Sequence, residues 1–125
     1  MKAWGGIASL ELSLAATFTR FTLQRPASTV ESCVSKLAAW MSEAPARLAG
    51  LHARKGRIAV GFDADLVIWD PDAETTVDVS RLQQRHKMTP YAGRCLRGVV
   101  HTTLVRGQRV WDGGRLWPAA SGRLL

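Results

Sequence analysis

The hydrophobic period of this chain changes once. Over Ile7 to Thr22, the apolar residues Ile7, Leu10, Leu14, Phe18 and Phe21 recur at intervals of three and four, the stripe of an amphipathic helix. Gly5-Gly6 before it and Pro26 after it mark its limits. Ser28 or Thr29 offers an N-cap for a second helix, with Glu31 and Ser32 placed to reach back. Val30, Val34, Leu37, Ala38 and Met41 continue as its stripe. Ser42 reads as the cap of a short third helix with Pro45 in its first turn, carrying Ala46, Leu48 and Ala49 and stopping at Gly50.

From Lys55 the period shifts toward two. Arg57-Ile58-Ala59-Val60 reads as a short strand, and Gly61 to Asp63 as a turn. Ala64 to Trp69 reads as a stronger strand, closed by Asp70-Pro71-Asp72. Thr75 to Val79 is a further extended candidate, while Arg81 to Met88 is polar and without a clear period. Val99 to Val105 and Gln108 to Trp111 flank Arg106-Gly107, a compact hairpin signal. Asp112-Gly113-Gly114 is another turn, followed by a loop-like tail ending in Leu124-Leu125. Helices first and strands last indicate an α+β domain or the junction of two domains. The helical stripes need a partner surface, and the rest of the sequence offers little to cover them.

Composition narrows the class without naming a chemistry. A length of 125 residues suits one domain, and 46% hydrophobic with 22% charged residues excludes a disordered tail, a collagen-like repeat and a coiled-coil rod. No apolar run approaches the roughly eighteen residues of a membrane span. Lys2 is the only early charge, and Gly5, Gly6, Ser9 and Glu11 interrupt any signal-peptide core, so the expected location is the cytoplasm, without membrane contact. The net charge of +7 raises a nucleic-acid partner. Its distribution argues against one. Residues 59–80 hold six acidic groups and no basic one, and the basic residues elsewhere stand singly between apolar ones. Cys33 and Cys95 lie far apart and read as two separate reduced thiols.

No self-sufficient active site is visible. His52, His86 and His101 form no His-x-His pair and no helical i, i+4 pair, so none reads as a metal ligand. Asp63-x-Asp65 lacks the alternating oxygen ligands and terminal Glu of a calcium loop, and reads as turn and strand entry. There is no G-x-S-x-G elbow, P-loop or G-x-G-x-x-G. Gly5-Gly6 before a helix is a tight turn or a backbone site for an anion or carbonyl. Trp4, Trp40, Trp69, Trp111 and Trp117 are scattered, as core anchors rather than a stacking platform.

Two stretches carry a resemblance. The first is Ala44-Pro45-Ala46-Arg47-Leu48-Ala49-Gly50-Leu51, with Lys55-Gly56-Arg57-Ile58 and Gly61-Phe62-Asp63-Ala64-Asp65-Leu66-Val67-Ile68-Trp69-Asp70-Pro71. It resembles the C-terminal signature of the metal-dependent cyclic amidohydrolases. The second, Arg85-His86-Lys87-Met88-Thr89-Pro90-Tyr91-Ala92-Gly93-Arg94 and the Leu96 to Trp111 segment, resembles the allantoinases within that family, as does the opening Ala3 to Leu10. Dihydroorotases and hydantoinases are the alternative branches, and Glu11 departs from a Gln common in allantoinases.

The resemblance implies an α/β parent fold, a β/α barrel carrying a binuclear zinc site plus a small β-sandwich. Residues 1–51 are then the C-terminal end of the barrel, and residues 52–125 are the later sandwich strands and tail. The implied activity is hydrolysis of a ring C–N bond, allantoin to allantoate, by a metal-activated hydroxide with an Asp shuttling the proton. The implied metal ligands lie outside this chain, so Met1-Lys2-Ala3-Trp4 matches an internal stretch and the chain alone is expected to be inactive. The loop over the substrate ring maps onto Gly5, Gly6, Ile7, Ala8 and Ser9, whose backbone groups bind a cyclic amide without needing a particular side chain. The implied partners are the remaining barrel portion and further copies, as a tetramer. A non-catalytic interaction module or split-enzyme half is the competing class, motivated by the uncovered stripe at Ile7, Leu14, Phe18 and Phe21.

Overall fold

The computed structural model describes residues 7–117. The order is helices then sheet. A 3-10 turn at Leu10–Leu12 leads into α1 (Ser13–Gln24), followed by α2 (Val30–Ala38), a π turn (Ala39–Glu43) and α3 (Ala44–Leu48). An irregular stretch then leads to a four-stranded antiparallel sheet in sequence order, with β1 (Leu66–Thr76), β2 (Cys95–Val105), β3 (Gln108–Asp112) and β4 (Arg115–Leu116). A 3-10 turn at Val79–Arg81 lies between β1 and β2. Among the described residues, no helix is long and apolar enough to cross a membrane.

The first helix starts later than its stripe predicts. The Leu12 N–H donates to the Ser9 carbonyl at 2.8 Å, which closes a 3-10 turn and leaves Ile7 outside and Leu10 exposed. The buried face is Ala15, Phe18 and Phe21, with Leu14 packed beside them. Thr29 caps α2 by accepting from the Ser32 N–H at 3.3 Å. The expected break at Ser42 does not occur. Pro45 lacks the N–H that would donate back to Met41, and the helix continues by widening instead, with the Ala44 N–H donating to the Ala39 carbonyl across the π turn.

Two strand expectations are also corrected. Asp70-Pro71-Asp72 does not close β1, which runs on to Thr76 through a register shift between Asp70 and Glu74. Asp70 Oδ1 accepts from the Asp72 N–H at 2.8 Å and the Ala73 N–H at 3.2 Å, so the bulge supplies its own hydrogen bonds and takes a proline that a regular ladder would reject. Residues 57–60 form no strand in this chain, because no described strand lies beside them. The β2–β3 hairpin forms as expected, with Val105 opposite Gln108. Arg106 and Gly107 take φ values of 50° and 77°, the two left-handed residues of a tight hairpin turn. Asp112-Gly113-Gly114 turns into the short β4 rather than into a loop.

The core lies between α1 and the sheet. One cluster joins Phe18, Phe21, Cys33 and Leu37 to Leu14 and Trp69, and a second joins Ala15, Val77 and Leu96 to Leu12, Ala16 and Tyr91. Phe18 is fully buried, edge-on to Trp69 at 4.9 Å, and its burial stabilises the fold by about 2–3 kcal/mol. Gly98 makes this approach possible: at φ 94°, a Cβ there would sit 2.9 Å from Trp69 Cζ3. The Thr19 hydroxyl accepts from the Arg97 N–H at 2.8 Å while donating to the Ala15 carbonyl at 2.7 Å, which ties α1 to β2.

Candidate functional site

The loop that enters α1 is exposed and short of internal partners. Gly5 and Gly6 lie outside the described residues. Ile7 and Ala8 are exposed and Ser9 is half-buried. The Ser9 hydroxyl donates to the Ile7 carbonyl at 3.4 Å. Among the described residues, no backbone N–H of Ile7, Ala8 or Ser9 has an acceptor. Glu11 follows directly. Its carboxylate accepts from the Gln83 N–H at 2.7 Å and pins the 3-10 turn to the segment before β2.

A cleft of about 340 Å³ runs from Ser9 along the outer side of α1. Ser13, Thr17, Arg20 and Gln24 line it at helical spacing, together with Trp40 and Tyr91. Phe21 meets Trp40 edge-on at 5.2 Å and forms an apolar floor. This polar stripe is invisible to a search for apolar periodicity, although its spacing is legible once α1 is assigned.

The three histidines are not brought together. His52, His86 and His101 are all exposed, on a turn, a loop and β2. Among the described residues, no group of three His, Cys, Asp or Glu is placed to hold a metal ion. A binuclear metal centre therefore does not fit the donors that these residues present. Cys33 is buried in the helical core, and Cys95 is exposed with its thiol donating to Glu74 at 3.5 Å. That contact, with some desolvation, pushes the Cys95 thiol up.

The motif Lys55-Gly56 … Asp63-Ala64-Asp65 proves to be a staple. Arg54 donates to Asp63 Oδ2 from Nε at 3.2 Å and from Nη2 at 2.9 Å. Lys55 Nζ lies 3.0 Å from the same oxygen and also pairs with Asp65. The hydrogen bond from Lys55 holds both carboxyls below the usual aspartate range, helped by Arg54 at Asp63 and by the Arg106 N–H at Asp65. The hydrogen bonds to Asp65 and then Asp63 raise Lys55 in turn. Asp65 Oδ1 accepts from the Arg106 N–H at 2.8 Å, and the Gly107 N–H donates to the Ala64 carbonyl at 2.9 Å. The cluster thus fastens the stretch before β1 to the left-handed turn of the β2–β3 hairpin. Gly56 completes it, since a Cβ at its φ of 95° would meet Ala46 Cβ at 2.7 Å and the Ser42 carbonyl at 3.0 Å. These acids are paired with Arg54 and Lys55 and hold the fold in place. Their placement in turn and strand entry follows from the sequence, whereas their pairing with Arg54, Lys55 and the distant Arg106 does not.

Comparison with known proteins adds to this geometry. The model of the amidohydrolase family matches residues 12–111. The chain is 45% identical to an allantoinase of Streptomyces avermitilis, covering 98% of this chain and 26% of that protein. It is 40% identical to an allantoinase of Arabidopsis thaliana, covering 99% and 24%. Among solved structures, an L-hydantoinase (dihydropyrimidinase) from Arthrobacter aurescens superposes with a TM-score of 0.79 at 36% identity, covering 92% of this chain and 24% of that one. The chain spans about a quarter of the length of the relatives that it matches.

Proposed function

The chain belongs to the amidohydrolase family, and on that premise we propose that it is the C-terminal portion of an allantoinase-like enzyme that opens the cyclic amide ring of allantoin to allantoate. The observation that carries this reading is the 45% identity to an allantoinase over nearly the whole chain. In the parent enzyme, α1 to α3 close a β/α barrel and the sheet belongs to the small sandwich. The stretch Gly5, Gly6, Ile7, Ala8 and Ser9 lies over the substrate, and its backbone groups hydrogen-bond the ring amide. The unused N–H groups of Ile7, Ala8 and Ser9 and the small side chains beside them support that role. The zinc ions of the parent would be held by the part of the enzyme that this chain does not span, in line with the quarter of the relatives' length that it matches. The working enzyme is a cytoplasmic homo-oligomer, a tetramer.

A second reading, a hydantoinase or dihydropyrimidinase branch, is favoured by the L-hydantoinase likeness at a TM-score of 0.79. One assay separates the two. The chain is mixed with the complementary part of the Streptomyces avermitilis allantoinase, the three quarters or so that it does not match, expressed as a separate polypeptide. The expected result is allantoate release from allantoin by the pair, slower turnover of hydantoin, and no turnover by the 125-residue chain alone. Preference for hydantoin would move the chain to the second branch, and hydrolysis by the chain alone would overturn its reading as a portion.

A further inference from the structure

The cleft along α1 is lined by hydrogen-bond donors that lack a side-chain partner among the described residues. The Thr17 hydroxyl, the Arg20 guanidinium, the Gln24 amide and the Tyr91 hydroxyl have no side-chain hydrogen-bond or ion-pair partner among the described residues. No Asp or Glu lines the cleft. The chain's own acids are largely committed elsewhere: Asp63 and Asp65 to Lys55, Glu43 to Arg47 and Arg57, Asp72 to Arg97, and Asp112 to Arg109. The chain as a whole is at +7. The Phe21–Trp40 pair lines the same cleft, with Phe21 buried and Trp40 52% exposed, and offers an apolar surface that a docked segment would cover.

We propose that this cleft is the docking site for a carboxylate-bearing segment of the longer amidohydrolase chain, with one Asp or Glu side chain seated on Arg20. Arg20 presents a forked donor that matches a carboxylate. Thr17 and Tyr91 donate hydroxyl hydrogens to the same group, and Gln24 donates its amide or accepts from the segment's backbone. The occupant is a part of the same enzyme because the relatives run to about four times the length of this chain. Charge complementarity requires that part to be acidic where it meets α1. The inference rests on the reading of the chain as a portion of a longer enzyme.

The test is the affinity of the 125-residue chain for the complementary polypeptide described above, measured by titration calorimetry with wild type and four variants. Arg20→Met is expected to weaken association by about thirtyfold, the effect of removing one partner from a desolvated charge pair. Arg20→Lys should recover part of that loss, because it keeps the charge without the fork. Tyr91→Phe should cost less than Arg20→Met, and Arg109→Met, on the hairpin, should bind as wild type. Salt should weaken the wild-type pair more than the Arg20→Met pair. If the wild-type pair assembles and Arg20→Met assembles equally well, the docking site is refuted while the reading of the chain as a portion stands. If the wild type fails to assemble, that reading falls and takes the docking site with it. Titration of the chain alone with sodium acetate covers the other occupant. Saturable quenching of tryptophan fluorescence that both Arg20→Met and Trp40→Phe abolish, together with unchanged association, would assign the cleft to a free anion and overturn the proposal.

Discussion

Phe18 and Ile58 are both large apolar residues on regular apolar repeats, and they end in opposite surroundings. Phe18 is fully buried, with Trp69 edge-on to its ring and Gly98 leaving room for both. Ile58 is 88% exposed, and Val60 and Leu48 near it in sequence are as bare. The first region carries its whole partner set within 125 residues. The second leaves Leu48, Ile58 and Val60 exposed. An apolar repeat therefore states that a surface is to be covered, and the fold shows which covers the chain itself provides. A cluster of uncovered large side chains is the expected face of a protein that meets more protein.

The comparison breaks most visibly at Phe18. Phe18→Ala should lose about 3–5 kcal/mol, much of the stability of a small fold, seen as an early or absent cooperative urea transition in circular dichroism. Gly98→Ala comes next, at about 1–3 kcal/mol, because its Cβ would press on Trp69 at a strained φ. Gly50→Ala shares the positive φ without any neighbour within 4 Å and should cost less, which separates crowding from backbone strain. The ionic staple is a smaller effect with a defined sign. Asp63 and Asp65 are lowered in the fold, so their contribution is present above the ordinary aspartate value and is lost as pH falls through the lowered one. Lys55 is raised, so its contribution is present below the ordinary lysine value and is lost only as pH rises through the raised one. Thermal melts below about pH 4 should fall more steeply for wild type than for Lys55→Met. The smallest effect is at the bare surface. Ile58→Ser and Val60→Ser should change the stability of the isolated chain by no more than about 0.5 kcal/mol.

What was legible in the sequence follows the same division. The inner face of α1, the Thr29 cap and the Arg106-Gly107 hairpin were readable because each depends on residues within a few positions of one another. The continuation through Pro45 was not, since a π turn leaves no apolar mark. Nor was the run of β1 past Pro71, which needs the Asp70 side chain to satisfy two N–H groups in the bulge. Residues 57–60 have the pattern of a strand and lack a neighbour to pair with. The family was legible in Lys55-Gly56 and Asp63-Ala64-Asp65, whose structural reason, a staple across to Arg106, emerges only in three dimensions. Of the loop before α1, Ile7, Ala8 and Ser9 have no backbone acceptor among the described residues, while the polar stripe of Ser13, Thr17, Arg20 and Gln24 leaves no mark in an apolar period.

On the proposed function, the bare region around Ile58 and Val60 is a surface that the rest of a larger enzyme covers. Amide hydrogen exchange of the chain, with and without the complementary polypeptide, tests it directly. The N–H groups of residues 57–60 should exchange rapidly in the chain alone and become protected on association, while those of α1 around Phe18 should be protected in both states. Association that leaves residues 57–60 exchanging as before would contradict it.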